Sequence, residues 1–200
     1  MKRPTIERVH EVMKENGMKV FTSDFSMTLF AIRTKDNVSN TFNDWIGASY
    51  PLPSGGIQSV LFLGTTDAGL YYREHPMHVD GTAIIAHGKQ YRGAFEYQNP
   101  AVNPSQLGHF KKEAFRQVGL MDYFRDPDRD KYLEFTNPEY NKNYYTNGHD
   151  MFGKVVGKNS AGCWGADPDR MDLLYIMALQ QIEHGHGAKV SLAMLHEEMF

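Results

Sequence analysis

The chain has 200 residues, 41% of them hydrophobic, and a formal net charge of -3. That is enough apolar material for one substantial core and predicts a single domain over residues 1–200. With a pI near 6.3 it offers no broad basic field for a nucleic-acid backbone, and no segment approaches the roughly 18 apolar residues of a membrane span.

Along the chain, Pro4 suits a first helical turn, Ile6, Val9, Val12 and Met13 share a face, and Gly17 is a natural stop. The charged segment MKRPTIERVHEVMKENG lacks the apolar run of a signal peptide, so synthesis in the cytoplasm without export by the usual route is expected. KVFTSDFSMTLFAIRT (19–34) is β-branched and aromatic, with partial alternation, and predicts one or two strands. VLFLGTTDAGLYYR, GTAIIAHGKQYRGAFEYQ and DKYLEF continue that character between Pro, Gly, Asn and Asp clusters. Residues 99–105 read as a long loop.

Asp167 then Pro168 form an N-cap and first helical residue, opening a helix through DRMDLLYIMALQQIEHG. Apolar residues occupy most of its circumference, which predicts deep burial. AKVSLAMLHEEMF reads as a last strand with a loose polar tail. The expected fold class is α+β, mainly β.

The only cysteine, Cys163, lies in NSAGCWG between Gly162 and Gly165. One cysteine forms no internal disulfide, so redox compartment is unconstrained. Its plain reading is buried packing, common for a free thiol. The chemical reading needs a base, oxyanion donors and room for substrate. The glycines remove bulk, and a tight turn at 161–163 aims backbone N–H groups at one point. His149, in TNGHDMFG, is 163 − 149 = 14 positions upstream, a separation that suits adjacent strand ends with both side chains on one rim. A neighbouring imidazole lowers a cysteine pKa, which predicts a thiolate–imidazolium pair at neutral pH.

NGHD followed by NSAGC resembles the signature of the L,D-transpeptidase catalytic domain, a histidine followed by a glycine-rich stretch and Ser-x-Gly-Cys. FAIRTKDNVSNTFNDW, LGTTDAGLYYREHP, GTAIIAHGKQYRGAF, YFRDPDRD and SAGC, in this order, are similar to a divergent phage and prophage branch of that family. The resemblance implies a mainly β sandwich or barrel with a helix after the cysteine. It also implies Cys163 as nucleophile, His149 as general base, the backbone around Gly162 as oxyanion site, and Ser160 shaping the turn. The implied activity is cysteine-dependent modification of peptidoglycan stem-peptide amides through a thioester, with hydrolysis favoured over transpeptidation. A catalytically lapsed structural or wall-binding virion or tail protein is the alternative. The chain departs from the family at Ala161, where a histidine is usual, and at Trp164–Gly165, where an arginine-containing pair is usual.

Trp164 is then a candidate to stack on substrate, or a packing anchor. Arg125 and Asp126 are candidate site-lining residues, and His109 a further one. Asp126, Asp128 and Asp130 alternate as in a calcium loop, but Lys131 and Asn137 occupy the positions that need glycine and glutamate. His75, His78, His184 and His186 lack a zinc-site pattern, TTDAG reads as a strand ending in a hydrogen-bonded turn, and no nucleotide loop is present, so no cofactor or metal is expected.

Overall fold

In this computed structural model the described residues are 1–36, 38–99, 113–126 and 146–200, with 139–140 described in backbone. They form an α+β molecule, mostly β, around a nearly closed barrel-like sheet. DKYLEF and most of the 99–105 loop lie outside the described residues.

Helix α1, Ile6–Glu15, is capped by the Thr5 side chain, which accepts from Arg8 N–H, and buries Val9, Val12 and Met13. Of the 19–34 stretch only β1, Thr28–Arg33, is strand. Phe25 has φ 59, a left-handed conformation that breaks an extended run, so the aromatic character of residues 19–27 reflects packing rather than pairing. Strands β2, Asp44–Pro51, and β3, Ile57–Gly64, follow as a hairpin. LYYR is a short helix, α2, Leu70–Glu74, and not the continuation of a strand.

Then come β4, Thr82–Ile85, β5, Lys89–Gln98, β6, Ala114–Gln117, β7, Asp122–Asp126, β8, Glu139–Tyr140, and β9, Gly148–Asp150. After β10, Trp164–Ala166, comes helix α3, Pro168–Glu183, and the last strand is β11, Lys189–His196.

The main sheet runs β10-β9-β6-β5-β11-β1-β2-β3, and β4-β7-β8 form a second, smaller one. Thr65, just beyond β3, exchanges two backbone hydrogen bonds with Gly165 of β10, at 2.8 and 2.9 Å. That bridge joins the two outer strands and nearly closes the barrel.

Alternation sets the layers. Leu29 and Ala31 of β1 and Leu192 and Met194 of β11 face the main core, while Phe30, Ile32, Ala193 and Leu195 face α1. With both faces covered, these two parallel strands read as continuous apolar text. Helix α3 packs on the main core through Met171, Leu174, Tyr175, Met177 and Ala178, but Leu173 and Ile176 are exposed, so it buries one face and not most of its circumference. The polar tail is held: Glu197 pairs with the chain's amino terminus at 3.3 Å and accepts from Lys35 N–H.

Candidate functional site around Cys163

Strands β9 and β10 are parallel neighbours, with Trp164 beside Gly148 and Gly165 beside His149. The loop from 151 to 163 connects them, and Trp164 N–H donates to Asn147 O at 3.0 Å, extending the ladder one residue toward Cys163. Alternation fixes the faces. Trp164 points into the core, so Gly165 and His149 take the opposite face; Cys163 directly precedes β10, and both Cys163 and His149 are half-buried. The influences on the two groups are separate: burial and Asp150 act on His149, burial and Asn147 on Cys163.

Ser160 determines the turn. Its fully buried hydroxyl accepts from Gly162 N–H at 3.0 Å and donates to Cys163 O at 2.7 Å. Gly162 has φ 127, a conformation a side chain would strain, and its carbonyl accepts from Thr146 Oγ1 at 3.2 Å. Because Ser160 takes the Gly162 N–H, the expected oxyanion donor at Gly162 is already engaged. The Cys163 N–H has no hydrogen-bond partner among the described residues and is the donor left for that role.

His149 Nδ1 lies 2.7 Å from Asp150 O. A carbonyl only accepts, so Nδ1 carries the proton and Nε2 presents its lone pair. Burial lowers the His149 pKa, opposed by Asp150, and pushes the Cys163 thiol up to about 11 against a backbone hydrogen bond from Asn147. Although Cys163 is half-exposed as a residue, protein atoms crowd its sulfur closely enough for desolvation to dominate. The resting pair is therefore neutral thiol and neutral imidazole, which corrects the expected thiolate–imidazolium pair. The α3 N-terminus is capped by Asp167, which also pairs with Arg170 at 2.9 Å.

Trp164 corrects a second expectation. It is 0% exposed, stacked on Phe115 and edge-on to Phe95, and has no free face for a substrate. Asp126 corrects a third: it is buried, 2% exposed, in an ion pair with Arg73. Arg125 is buried, donates to Gly81 O at 3.3 Å, and shares the wall of a small cavity with Ala161 of the cysteine turn. His109, Asp128 and Asp130 lie outside the described residues.

The supporting shell was not anticipated. Gln117 Oε1 accepts from Tyr123 OH and from Thr146 N–H, both at 2.7 Å, while Asn147 Oδ1 accepts from Gln117 N–H at 3.1 Å. Thr146 and Asn147 directly precede Gly148-His149, and that run of turn-forming residues was the available signal. Next to it, TTDAG ends β3 in a hydrogen-bonded turn, with Asp67 N–H donating to Thr65 Oγ1 at 3.1 Å and Gly69 N–H to Ser160 O at 2.9 Å.

Beneath that turn lies a buried charged network. Arg33 pairs with Asp67 at 3.0 Å and donates to Thr66 O and Ile85 O. Asp44 accepts from Thr34 N–H, Thr66 N–H and the Thr66 hydroxyl at 2.7–2.9 Å. Arg73 joins Asp126 and donates to Ser39 Oγ at 2.7 Å.

No cluster of three metal-ligating side chains exists among the described residues, and no described helix is long and apolar enough to cross a membrane. Comparison of the chain with models of protein families, with curated protein sequences and with solved structures finds no match. The fold and geometry therefore define a class only: a mostly β, barrel-like α+β protein with a histidine on one strand and a cysteine directly before its parallel neighbour.

Proposed function

We propose that the protein is a cysteine-dependent peptidoglycan-modifying enzyme of the L,D-transpeptidase type, phage or prophage encoded, that acts on stem-peptide amide bonds. The observation that supports this reading is that Cys163 directly precedes β10 while His149 lies on β9, its parallel neighbour, with His149 Nδ1 held 2.7 Å from Asp150 O. His149 Nε2 takes the Cys163 proton as sulfur attacks the amide carbonyl, and the oxyanion forms beside the Cys163 N–H. The imidazolium then protonates the leaving amine, and the C–N bond breaks to leave a thioester on Cys163. Water, deprotonated by His149, releases the acid and restores the thiol; an amine acceptor would give transpeptidation instead. Hydrolysis is the favoured outcome for a protein that opens a wall.

A neutral base matched to a neutral thiol suits this route, because proton transfer accompanies attack rather than preceding it. The raised thiol pKa favours a second reading, a structural or wall-binding virion or tail protein on the same fold. Digestion of purified peptidoglycan separates the two. Soluble fragments with wild type and none with Cys163→Ala support the enzyme, and new carboxyl termini in those fragments identify hydrolysis. Wall binding that Cys163→Ala retains, with no fragments from either protein, supports the structural reading.

A further inference from the structure

A second cleft lies far from Cys163. It has a volume of about 280 Å³ and is formed where the C-terminal end of α3 meets β5 and the start of β11, at the lower edge of the roughly 300–1,000 Å³ usual for small-molecule sites. Its wall residue Gln181 lies 181 − 167 = 14 residues beyond the α3 N-cap, about 21 Å along the helix axis. The cleft is therefore distinct from the cysteine turn.

Its walls are fixed by two devices. The first is a bulge on β5: Val190 pairs with Phe95 and Leu192 with Tyr91, so Arg92, Gly93 and Ala94 oppose Ser191 alone. Gly93 has φ 57, its N–H donates to Ser191 Oγ at 2.9 Å, and the displaced backbone carries Arg92 to the cleft, the re-aiming that bulges allow. The second is the buried Gln181 amide. Its oxygen accepts from Met27 N–H at 2.9 Å, and its NH₂ donates to Gly187 O and Lys189 O at 2.9 and 3.1 Å. One side chain thus holds three wall segments in place. His186 closes the far lip, its Nε2 2.7 Å from Asp24 O.

The lining is basic and contains no acid. Arg92, Lys189 and His186 line the cleft, and none of its lining residues is Asp or Glu, in a chain whose net charge is -3. Neither Arg92 nor Lys189 has an ion-pair partner among the described residues; Glu96 sits across from Lys189 in register without bonding it. Arg92 and Lys19 lie 5.4 and 5.3 Å from the centroid of the Phe21 ring, which draws a further cation to the rim. Phe21, Met27 and Val190 supply apolar surface. Cations gathered without counter-charge on a preformed wall match an anion, and the apolar surface matches a body attached to it.

We propose that this cleft is a binding site for a small organic anion bearing one carboxylate or phosphate group on a short apolar body. The test is titration of the uniformly ¹⁵N-labelled full chain with phenyl phosphate, benzoate and inorganic phosphate at constant ionic strength, followed by amide spectra. Saturable shifts centred on Arg92, Gly93, Lys189 and Ser191 are expected, with a Kd of about 1 mM or tighter for phenyl phosphate or benzoate. Preference for one of these two identifies the head group. Arg92→Gln with Lys189→Gln, both at exposed positions, should weaken binding about tenfold or more without changing Tm. Lys189→Glu alone should do the same. Absence of saturable shifts with all three probes overturns the site, as does binding that both variants retain. Inorganic phosphate binding as tightly as phenyl phosphate overturns the apolar half of the assignment.

Discussion

Around Asp67, five charged side chains are buried within reach of one another; around Cys163, a few residues away, the polar contacts come from Ser160, Thr146 and Asn147, which carry no charge. The first region buries opposite charges beside one another, Arg33 with Asp67 and Arg73 with Asp126, the condition for burying ions. Asp67 is nonetheless pushed up to about 7 by burial and by Asp44, against the pull of Arg33 and Arg73. The second region has no counter-charge acting on its titratable groups that outweighs burial, so thiol and imidazole both stay neutral. Burial thus fixes protonation in both regions, through pairing in one and through its absence in the other.

The largest effect should come from breaking the pairing. Arg73→Ala removes the Arg73 ion pair from buried Asp126 and should lower stability by about 3–5 kcal/mol in denaturant unfolding. Arg73→Met with Asp126→Leu should recover much of that loss, because both buried charges of the pair are then gone. A loss unchanged in the double variant would show that the pair holds packing and not charge.

The pH response comes next. Folded Asp67 binds its proton up to about pH 7, whereas the unfolded carboxyl releases it near 3.8. Between those values the native state holds more protons, so this group's contribution to stability falls as pH rises and levels off above about 7. Asp67→Asn should remove that falling component, seen as the difference between the two proteins' Tm-against-pH curves.

Ser160→Ala should cost about 1–3 kcal/mol by orphaning the Gly162 N–H in a buried turn. Peptidoglycan digestion should drop with it, because the turn presents the sulfur. If digestion persists at the wild-type rate, the turn does not position the nucleophile.

The smallest expected change is kinetic. Alkylation of resting Cys163 by iodoacetamide should be slower than that of a free cysteine and should rise about tenfold per pH unit between 7 and 10, following a thiol with its pKa near 11. A plateau already present at pH 7 would instead reveal a thiolate and collapse the contrast between the regions.

Local elements were legible where a few adjacent residues decide them. Ile6 to Gly17 spells a helix and its stop, although the cap is Thr5 and Pro4 lies before it, and Asp167-Pro168 spells the next start. LYYR was misleading because aromatic residues serve a short, partly exposed helix as well as a strand. The α3 circumference was misleading for the opposite reason: Leu173 and Ile176 are apolar yet lie on the outer face. At the site, the residues that carry a chemical type, Cys163, His149 and Ser160, stood out from their turn-forming neighbours. Trp164 and Asp126 were ambiguous because an indole or a carboxylate has the same letter whether it meets substrate, core or counter-ion.

What sequence by itself determined is therefore the α+β class, the ends of α1 and α3, and the glycine-relieved turn that carries Cys163, since backbone preference and capping act over a few residues. Tertiary structure alone decided that β9 and β10 are parallel, that Thr65 closes the barrel against Gly165, and that positions 33, 44, 67, 73 and 126 form one buried network. It also decided the protonation of Cys163 and His149. A pKa depends on how much water and charge the fold leaves around a group, and those are set by residues distant in sequence that meet only in the folded chain.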